Sequence, residues 1–386
     1  MNTYRIGESL VRAGHRVMFL VKEQWRGRFT KYGIEEVLYE NVPDDNEAAK
    51  HMALLKMIGF LPDGSPLDKM VAYYTHWLPS VVDKWPKTDE MIESYIAKLH
   101  PDVIVIDNTV YSPAVAKSGI PWVLICSSNP LRLIDDERTP SYGSGFPIVS
   151  DKNEWKLFCQ TVNKASIESL KRLNEYIVSK DLPELTECQF FKASPHLNVY
   201  QFPSELDYTD VRPLPPKHYK FDNFMRTEMD HTFEIPVPLR DRPGKLVYFS
   251  LGTMGAADVD NIKRLVNILS KSKHRFIVSK GPLHTEYSLA DNMWGEGSVP
   301  QIQVLPLVDL VITHGGNNTL TETFYFGKPM IVLPLFTDQY DNAQRVHEKG
   351  FGIRLDAYKC SEEELLNAIE IQDLTESGRE LNKSML

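Results

Sequence analysis

The sequence predicts an α/β fold made of two doubly wound parallel-sheet domains that face a cleft. The chain has 386 residues, more than one compact hydrophobic core usually holds, so we expect two domains. From Lys245 onward apolar strands alternate with helices, which is the pattern of a parallel sheet covered on both faces. Prolines concentrate between Arg212 and Pro243 and indicate a connecting segment. The expected organisation is a first domain over residues 1–225, a linker over 226–244 and a second domain over 245–386.

The first domain is predicted to begin with a short helix and then to alternate strands and helices. Short apolar runs bounded by Gly, Pro or polar residues predict the strands, and runs with apolar residues on one face predict the helices. The predicted strands are Val17–Val21, Val37–Tyr39, Val103–Asp107, which we expect to be buried, Trp122–Ser127, and Leu197–Phe202, which we expect to be the last strand of this domain. The predicted helical segments are Arg5–Ala13, Pro66–Leu99, Pro113–Lys117 and Asn153–Tyr176.

Composition and charge argue against several functional classes. The net charge is −9 and Lys and Arg do not cluster, which disfavours nucleic-acid binding. The four cysteines (Cys126, Cys159, Cys188 and Cys360) are far apart and lack metal-ligand spacing, a pattern that suits a reducing compartment. No apolar run has the length of a membrane span, and no signal peptide is visible. We therefore expect a cytoplasmic protein without a membrane anchor or an obligate protein partner.

One segment, residues 298–343, contains two strand–turn–helix units in succession. A strand over Val308–Thr313 runs into His-Gly-Gly-Asn-Asn-Thr and then into a helix that carries Glu322. A second strand over Met330–Phe336 is followed by Asp338-Gln339. Both polar clusters therefore lie at the carboxyl ends of consecutive parallel strands, where open α/β sheets bind ligands.

The residue types in these clusters suit a sugar nucleotide. The Gly315-Gly316 pair allows the backbone to approach a ligand closely, and Asn318 and Thr319 place donors at a helix start, which favours a diphosphate. His314 can donate to the same phosphates. The remaining side chains can bind hydroxyl groups: Glu322 those of the ribose, and Asp338 and Gln339 those of the sugar.

This segment resembles the donor-binding signature of the family 1 UDP-glycosyltransferases, enzymes of the GT-B fold with two Rossmann-like domains. The elements that carry the resemblance are Pro300-Gln301, His314-Gly315-Gly316, Asn318-Thr319, Glu322, Gly327-Lys328-Pro329, Asp338-Gln339 and Asn342. The subgroup that looks most similar contains the soluble enzymes of spider mites and the bacterial macrolide glycosyltransferases. The resemblance implies inverting transfer of a hexose, glucose from UDP-glucose, to a hydroxyl of a small lipophilic acceptor. It also implies detoxification of xenobiotics or plant metabolites, with the UDP-sugar as co-substrate and no metal or other cofactor.

The resemblance further implies a donor site in the second domain. Gln301 would pair with the uracil edge, whereas Ser298 stands where most members carry an aromatic residue that stacks on uracil. Losing that stacking partner would cost about 1–3 kcal/mol in base binding. Trp294 is nearby but in the wrong register to replace it. The complete predicted donor-binding set is Ser250, Gly252, Thr253, Gln301, His314, Gly316, Asn317, Asn318, Thr319, Glu322, Asp338 and Gln339.

The predicted catalytic residue is Asp107, at the carboxyl end of the Val103–Asp107 strand. In the family this aspartate orients a histidine that deprotonates the acceptor hydroxyl, a task that suits a base with a near-neutral pKa. That histidine should precede the first helix, after a first strand, and this sequence begins directly in the helix. His15 follows the helix, at the opposite end of the sheet from the ligand face, and we expect it to be structural.

The first strand of the family fold is thus missing from the sequence. In the strand order 3-2-1-4-5 it would lie between the strands at Val17 and Val103, and its loss would leave two strand edges unpaired. Three explanations remain open: a longer native protein, a fragment or splice form, or a divergent, inactive relative.

The acceptor pocket is predicted in the first domain, where aromatic residues and methionine are dense. Its candidate residues are Met70, Tyr73, Tyr74, His76 and Trp77. Their size and apolar character favour a flat or bulky apolar acceptor. Two other functions remain: a pseudoenzyme that binds a UDP-sugar or a lipophilic ligand without transfer, and a different GT-B enzyme such as a UDP-N-acetylglucosamine 2-epimerase.

Overall fold

The computed structural model describes residues 3–39, 64–107, 109–186, 189–222, 225 and 232–371. Strands and helices alternate through both halves of the described chain. The strands are β1 (Met18–Val21), β2 (Glu35–Leu38), β3 (Ile104–Ile106), β4 (Trp122–Cys126), β5 (Leu197–Gln201), β6 (His218–Phe221), β7 (Leu246–Ser250), β8 (Arg275–Ser279), β9 (Met293–Glu296), β10 (Leu310–Thr313), β11 (Met330–Val332) and β12 (Gly352–Arg354). The helices are α1 (Thr3–Arg12), α2 (Pro66–Ala72), α3 (Leu78–Leu99), α4 (Pro113–Lys117), α5 (Lys152–Ser179), α6 (Val237–Arg240), α7 (Gly252–Gly255), α8 (Val259–Leu269), α9 (Gln301–Val304), α10 (Asn317–Tyr325), α11 (Asp338–Glu348) and α12 (Glu362–Ile371).

The second half of the chain forms one six-stranded parallel sheet with the order β12-β11-β10-β7-β8-β9. The chain builds outward from β7 to β9 and then returns to the other side of β7 for β10 to β12. β10 lies directly beside β7, with Leu310 opposite Val247 and Thr313 opposite Ser250. The sheet therefore has a topological switch point between β7 and β10, at which ligands commonly bind. The predicted α/β class with doubly wound parallel sheets is confirmed.

The first half contains a four-stranded parallel sheet, β3-β4-β5-β6, and a separate two-stranded sheet, β1-β2. The expectation that Leu197–Phe202 is the last strand of this half is wrong, because β6 follows it and pairs with β5 in parallel. The prolines between Pro213 and Pro216 lie in the short connection that leads into β6. Proline cannot donate a ladder hydrogen bond, so the enrichment in proline indicated a linker. The strand β6 nevertheless begins two residues after Pro216.

The strand β3 is less buried than the sequence predicts. Within the described ranges it pairs with β4 alone, while β1 pairs with β2 alone. Val103 is 52% exposed and Val105 is 41% exposed, and these two residues point to the same side because side chains alternate along a strand. An apolar run becomes buried only where neighbouring elements cover it, and no described element covers this side of β3.

The long helical segment before β3 is interrupted by one wide turn. Helix α2 begins with a capping box in which the Ser65 hydroxyl accepts from the Asp68 amide over 3.2 Å. Its chain continues through a π-helical turn, Tyr73–Trp77, into α3. Such turns often occur at functional sites, and this one carries three of the predicted acceptor-pocket aromatics. The described part of the chain contains no helix that is both long and apolar enough to cross a membrane.

The two halves are in contact over a broad surface beside the carboxyl ends of both sheets. One hydrophobic core contains residues of both halves, among them Tyr200 and Phe202 from the first and Tyr248 and Val311 from the second. Hydrogen bonds also cross the boundary. The buried Arg345 side chain, for example, donates to the Leu206 carbonyl over 2.8 Å. Apolar burial and paired polar groups together hold the two halves in contact.

Candidate functional site

A cavity of about 430 Å³ lies between the two halves, at the carboxyl ends of β3 and β4 and at the start of α11. Its wall combines an aromatic side, polar groups from the loops after β3 and β4, and residues of the second half. The lining residues are Tyr73, Tyr74, Trp77, Asp107, Thr109, Leu124, Ile125, Cys126, Ser127, Ser128, Arg132, Tyr142, Phe191, Met254, Phe336, Thr337 and Asp338.

Asp107 lies on the cavity wall, directly after β3. Its Oδ2 accepts hydrogen bonds from the Ser127 hydroxyl and, over 3.2 Å, from the Thr3 hydroxyl. Thr3 is the first residue of α1, so this bond connects the two-stranded sheet's helix with the four-stranded sheet. The carboxylate is thus held at the cavity by two hydroxyl groups while it remains exposed.

The aromatic side of the cavity comes from the π-helical turn. The rings of Tyr73 and Trp77 stack with centroids 4.7 Å apart, and Tyr74 meets Tyr73 edge to face at 5.1 Å. The other two predicted acceptor residues lie away from the cavity. Met70 is buried against Phe158 and Val162, and His76 is exposed. A wide turn changes which side chains share a helix face, so simple helical spacing does not identify the lining set.

His314 follows β10 and is enclosed by two glycines. A Cβ at Gly252 would lie 2.6 Å from the ring Cε1, and a Cβ at Gly316 would lie 2.4 Å from Nε2. Gly252 also has φ +68°, a left-handed conformation that favours glycine. Burial lowers the pKa of His314 to about 4, against an opposing hydrogen bond with the Ser250 backbone. The imidazole is therefore neutral at pH 7 and has one ring N–H, which it can offer to a ligand by giving up its hydrogen bond with the Ser250 backbone.

The remaining predicted donor residues gather around α10. Asn318 and Thr319 lie in its first turn, while the buried Asn317 side chain donates to the Ser127 and Gln201 carbonyls over 3.2 and 3.1 Å. These two carbonyls belong to the first half, so Asn317 joins the halves. Thr253 lies in α7, beside Gly252.

Gln301 and Glu322, predicted to bind uracil and ribose, contact each other. The Gln301 side-chain amide donates to Glu322 Oε2, and its carbonyl accepts from the Tyr248 hydroxyl over 3.3 Å. Thr319 Oγ1 lies 3.5 Å from the same amide. A nucleoside that used these groups would have to exchange at least one of these bonds.

Asp338 and Gln339, predicted to hold the sugar, have different surroundings. Asp338 lines the cavity, where burial raises its pKa, and it accepts from the Asn129 amide over 3.3 Å. The Gln339 side-chain oxygen instead accepts from the Leu335 and Phe336 amides over 3.0 and 3.3 Å, with the side chain 3% exposed. Gln339 thus fixes the loop that leads into α11. Thr337, which directly precedes Asp338 at the start of α11, has φ +47°, a strained conformation for threonine.

Sequence reasoning missed several residues of the cavity wall, above all Arg132. It lies in a short 3₁₀ turn, Pro130–Arg132, that follows β4. The signal that could have found it is its position after the carboxyl end of a parallel strand. Among the described residues, no three His, Cys, Asp or Glu side chains form a group that could hold a metal ion.

The chain is similar to known glycosyltransferases in sequence. Residues 242–376 match the model of the family described as UDP-glucoronosyl and UDP-glucosyl transferase. The NDP-glycosyltransferase YjiC of Bacillus subtilis (strain 168) is 24% identical over 95% of this chain and 84% of its own length. A sterol 3-beta-glucosyltransferase of Saccharomyces cerevisiae (strain YJM789) is 23% identical over 95% of this chain and 31% of its own length. The chain thus spans about a third of that yeast relative.

Solved structures show the same fold. The glycotransferase of kitacinnamycin superposes with a TM-score of 0.68 at 18% identity, covering 100% of this chain and 91% of its own. A Streptomyces glycosyltransferase, SsfS6, in complex with thymidine diphosphate superposes with a TM-score of 0.60 at 15% identity, covering 100% of this chain and 91% of its own. These neighbours confirm the predicted GT-B architecture of two parallel-sheet units.

Proposed function

We propose that this chain, whose residues 242–376 match the family model described as UDP-glucoronosyl and UDP-glucosyl transferase, transfers a hexose from a UDP-sugar to a small apolar acceptor. The donor is UDP-glucose, and the acceptor lies in the cavity between the two halves. The domain organisation expected from the sequence, an acceptor domain over residues 1–225 and a donor domain over 245–386, belongs to the same proposal. So do the cytoplasmic location and a role in glycosylating xenobiotics or plant metabolites.

The observation that carries this proposal is the composition of the cavity wall. Its first-half side supplies stacked aromatic rings and the carboxylate of Asp107, and its second-half side supplies Asp338. An acceptor that stacks on Tyr73 and Trp77 would lie between the carboxylate after β3 and the sugar-binding end of α11. This is the arrangement that a transfer reaction needs, because both substrates must meet with reacting atoms aligned.

The donor would occupy the switch point beside this cavity. The neutral His314 side chain and the first amides of α10 supply donors for the diphosphate. The acceptor oxygen attacks the anomeric carbon of the sugar. The bond from that carbon to the diphosphate oxygen breaks, and UDP leaves with inversion at the carbon. His314 and the helix amides stabilise the charge that develops on the leaving diphosphate. On the acceptor side the hydroxyl proton passes to the carboxylate of Asp107, which lines the cavity and is exposed.

The acceptor class follows from the size and lining of the cavity. A volume of about 430 Å³ suits a small molecule with a few rings, and such sites are mostly apolar with few polar groups. The names of the similar proteins include sterol glucosyltransferases, so a fused-ring alcohol is a reasonable second acceptor to test beside planar phenols.

A second candidate function is binding without transfer. It is favoured by the Gln339 side chain, which accepts from the Leu335 amide and so leaves fewer free groups to hold the sugar in position for transfer. The two functions differ in one observable quantity, the UDP released from UDP-glucose. We expect calorimetric binding of UDP together with UDP release that increases when planar hydroxyl acceptors are added. UDP binding without acceptor-dependent release supports the binding module, and absence of UDP binding contradicts both.

A further inference from the structure

The acceptor cavity contains a positively charged side chain, Arg132, whose position is fixed by the contact between the two halves. Asn129 caps the turn Pro130–Arg132 by accepting from the Leu131 amide over 2.9 Å. The Asn129 backbone amide donates to Asp338, and its side-chain amide donates to Asn342 over 2.8 Å. The turn is thus fastened to α11, and the arginine extends from it to the cavity wall.

The guanidinium of Arg132 lies among aromatic rings. Its central carbon is 5.9 Å from the centroid of the Tyr142 ring and 5.6 Å from that of Phe191. Tyr73 is another neighbour: burial raises the pKa of its hydroxyl, and both the charge of Arg132 and a hydrogen bond from the Arg132 side chain oppose that rise. Planar stacking on aromatic faces is a typical arginine contact. A guanidinium has five N–H donors, so donors beyond the one that bonds the Tyr73 hydroxyl can serve a ligand in the cavity.

The two carboxylates of the cavity wall are already bound by other groups. Asp107 accepts from the Ser127 and Thr3 hydroxyls, and Asp338 accepts from the Asn129 amide and, over 3.2 Å, from the Thr337 hydroxyl. Neither forms an ion pair with Arg132 in the described part of the chain, although its charge acts on Asp338. A partly buried cation without an ion-pair partner favours an anionic ligand, because hydrogen bonds between charged groups are strong where water is scarce.

We propose that Arg132 binds the acidic oxygen of the acceptor, so that the preferred acceptors are planar aromatic molecules with an anionic oxygen. This inference rests on the proposed function, because it names the acceptor class of the same cavity. The flat ring system stacks on Tyr73 and Trp77, and the anionic oxygen receives the guanidinium N–H groups. The oxygen belongs either to a carboxylate or to a phenol that is ionised near neutral pH.

An anionic acceptor also simplifies the transfer step. Its oxygen already carries the electron pair that forms the new bond to the anomeric carbon, so no proton has to be removed. The bond from that carbon to the diphosphate oxygen breaks with both electrons on the diphosphate, and UDP leaves with the acceptor's negative charge added to its own. A carboxylate gives a glucose ester, and a phenolate gives an aryl glucoside.

The test compares matched pairs of acidic and neutral acceptors on four proteins. The pairs are 2-naphthoate with 2-naphthalenemethanol and, at pH 8, 4-nitrophenol with 4-methoxyphenol. The proteins are the wild type, Arg132→Met, Arg132→Lys and the control Arg138→Gln. Arg138 lies six residues further on and pairs with Asp136 outside the cavity. Binding is measured by calorimetry in the presence of UDP, and UDP affinity and thermal stability are measured for each protein.

We expect the wild type and Arg138→Gln to bind the acidic member of a pair at least about tenfold more tightly, as hydrogen bonds to a charged group predict. Arg132→Met should remove this preference, and Arg132→Lys should keep part of it, with UDP affinity unchanged. If the acidic member is preferred in the naphthalene pair alone, the acceptor oxygen that Arg132 binds is a carboxylate oxygen. If it is preferred in the phenol pair alone, that oxygen is a phenolate. Equal binding of both members by the wild type overturns the inference even if a variant fails to fold.

This design separates the inference from the proposed function. If the wild type discriminates between the members through Arg132 but releases no UDP with any of them, transfer is absent while the anion site stands. If UDP is released equally with neutral and acidic acceptors and Arg132→Met changes neither rate, transfer stands and the anion site is refuted.

Discussion

The side-chain amide of Asn129 donates to the side-chain oxygen of Asn342 over 2.8 Å, and this bond joins the two halves beside the cavity. Both residues are buried, and Asn342 in turn donates to the Gly315 carbonyl over 2.8 Å. The chain of contacts runs from the turn that carries Arg132, through α11, to the loop that carries His314. The acceptor and donor sides of the site are thus connected by hydrogen bonds as well as by apolar burial.

Replacing Asn129 by alanine should destabilise the protein by about 1–3 kcal/mol, because it leaves buried polar partners unpaired and removes the cap of the turn. Denaturant unfolding measures this change. The control is Asn267→Ala, an exposed position on α8, where we expect a change within about 0.5 kcal/mol. Equal stability of the Asn129 variant and wild type would show that this contact does not hold the halves together.

Gly252→Ala should displace the His314 ring, because the new methyl group would lie 2.6 Å from it. Loss of the His314 donor should weaken UDP binding at least about tenfold, as expected for a hydrogen bond to a charged group. Gly119→Ala is the matched control. Gly119 has a similar φ, +73° against +68°, with no neighbour within 4 Å of the added Cβ, so it reports backbone strain of about 1–2 kcal/mol alone. Calorimetry with UDP would contradict this account of His314 if both variants bound UDP like the wild type.

Asp341 should make the stability of the protein depend on pH. Burial raises the pKa of its carboxyl to about 7, against the Gly143 and Gly145 amides and the charge of Arg354, while Asp338 adds to the rise. The folded state therefore binds a proton that the unfolded state, with a pKa of about 3.9, has lost. Stability should fall as pH rises from about 4 to about 7, by about 1–3 kcal/mol between pH 5 and 8.

The measurement for Asp341 is the unfolding free energy of wild type and Asp341→Asn across this range. The variant should lose this part of the pH dependence. Asp136→Asn is the control, since the Arg138 side chain lowers the pKa of Asp136 to about 2, so its contribution changes only at lower pH. The raised pKa of Asp341 would be refuted if the unfolding free energy rose from pH 5 to pH 8 by the same amount in the wild type and in both variants.

Asp107→Asn should lower turnover of neutral hydroxyl acceptors at least about a hundredfold, as loss of proton-transfer catalysis does. UDP affinity should stay within about threefold of wild type, because Asp107 contacts hydroxyls of the first half. Asp102→Asn, at an exposed position before β3, is the control for the loss of one negative charge. Equal loss of UDP binding and turnover in the Asp107 variant would place this residue in the donor site instead.

The second-half sheet was predictable because several of its strands, among them β7, β10 and β11, are short apolar runs bounded by turn residues. The stacked aromatics of the cavity were also predictable as a group, since large rings concentrated in one segment. β6 was not, because prolines that precede an edge strand look the same in sequence as prolines of a linker. The exposure of Val103 and Val105 was missed for a related reason: burial depends on neighbours that lie far away in the chain.

The roles of individual polar residues were harder to predict. Gln339 and Asn317 have residue types suited to ligand binding, but their side chains bond backbone groups and so fix the loops of the site. Arg132 was missed although it follows the carboxyl end of a strand, because that position alone does not distinguish a cavity side chain from a surface side chain. Only the fold shows that Arg132 lines a cavity and that its guanidinium packs against the aromatic rings of Tyr142 and Phe191.

The most direct test of the central claim is mass-spectrometric detection of the glucosylated acceptor after incubation of the wild type with UDP-glucose and, in separate reactions, 2-naphthoate, 2-naphthalenemethanol, 4-nitrophenol and 4-methoxyphenol. The account predicts a hexose adduct of at least one of these acceptors together with an equal amount of free UDP. Intact UDP-glucose and unmodified acceptor in all four reactions, from protein that binds UDP by calorimetry, would contradict it and leave a binding module.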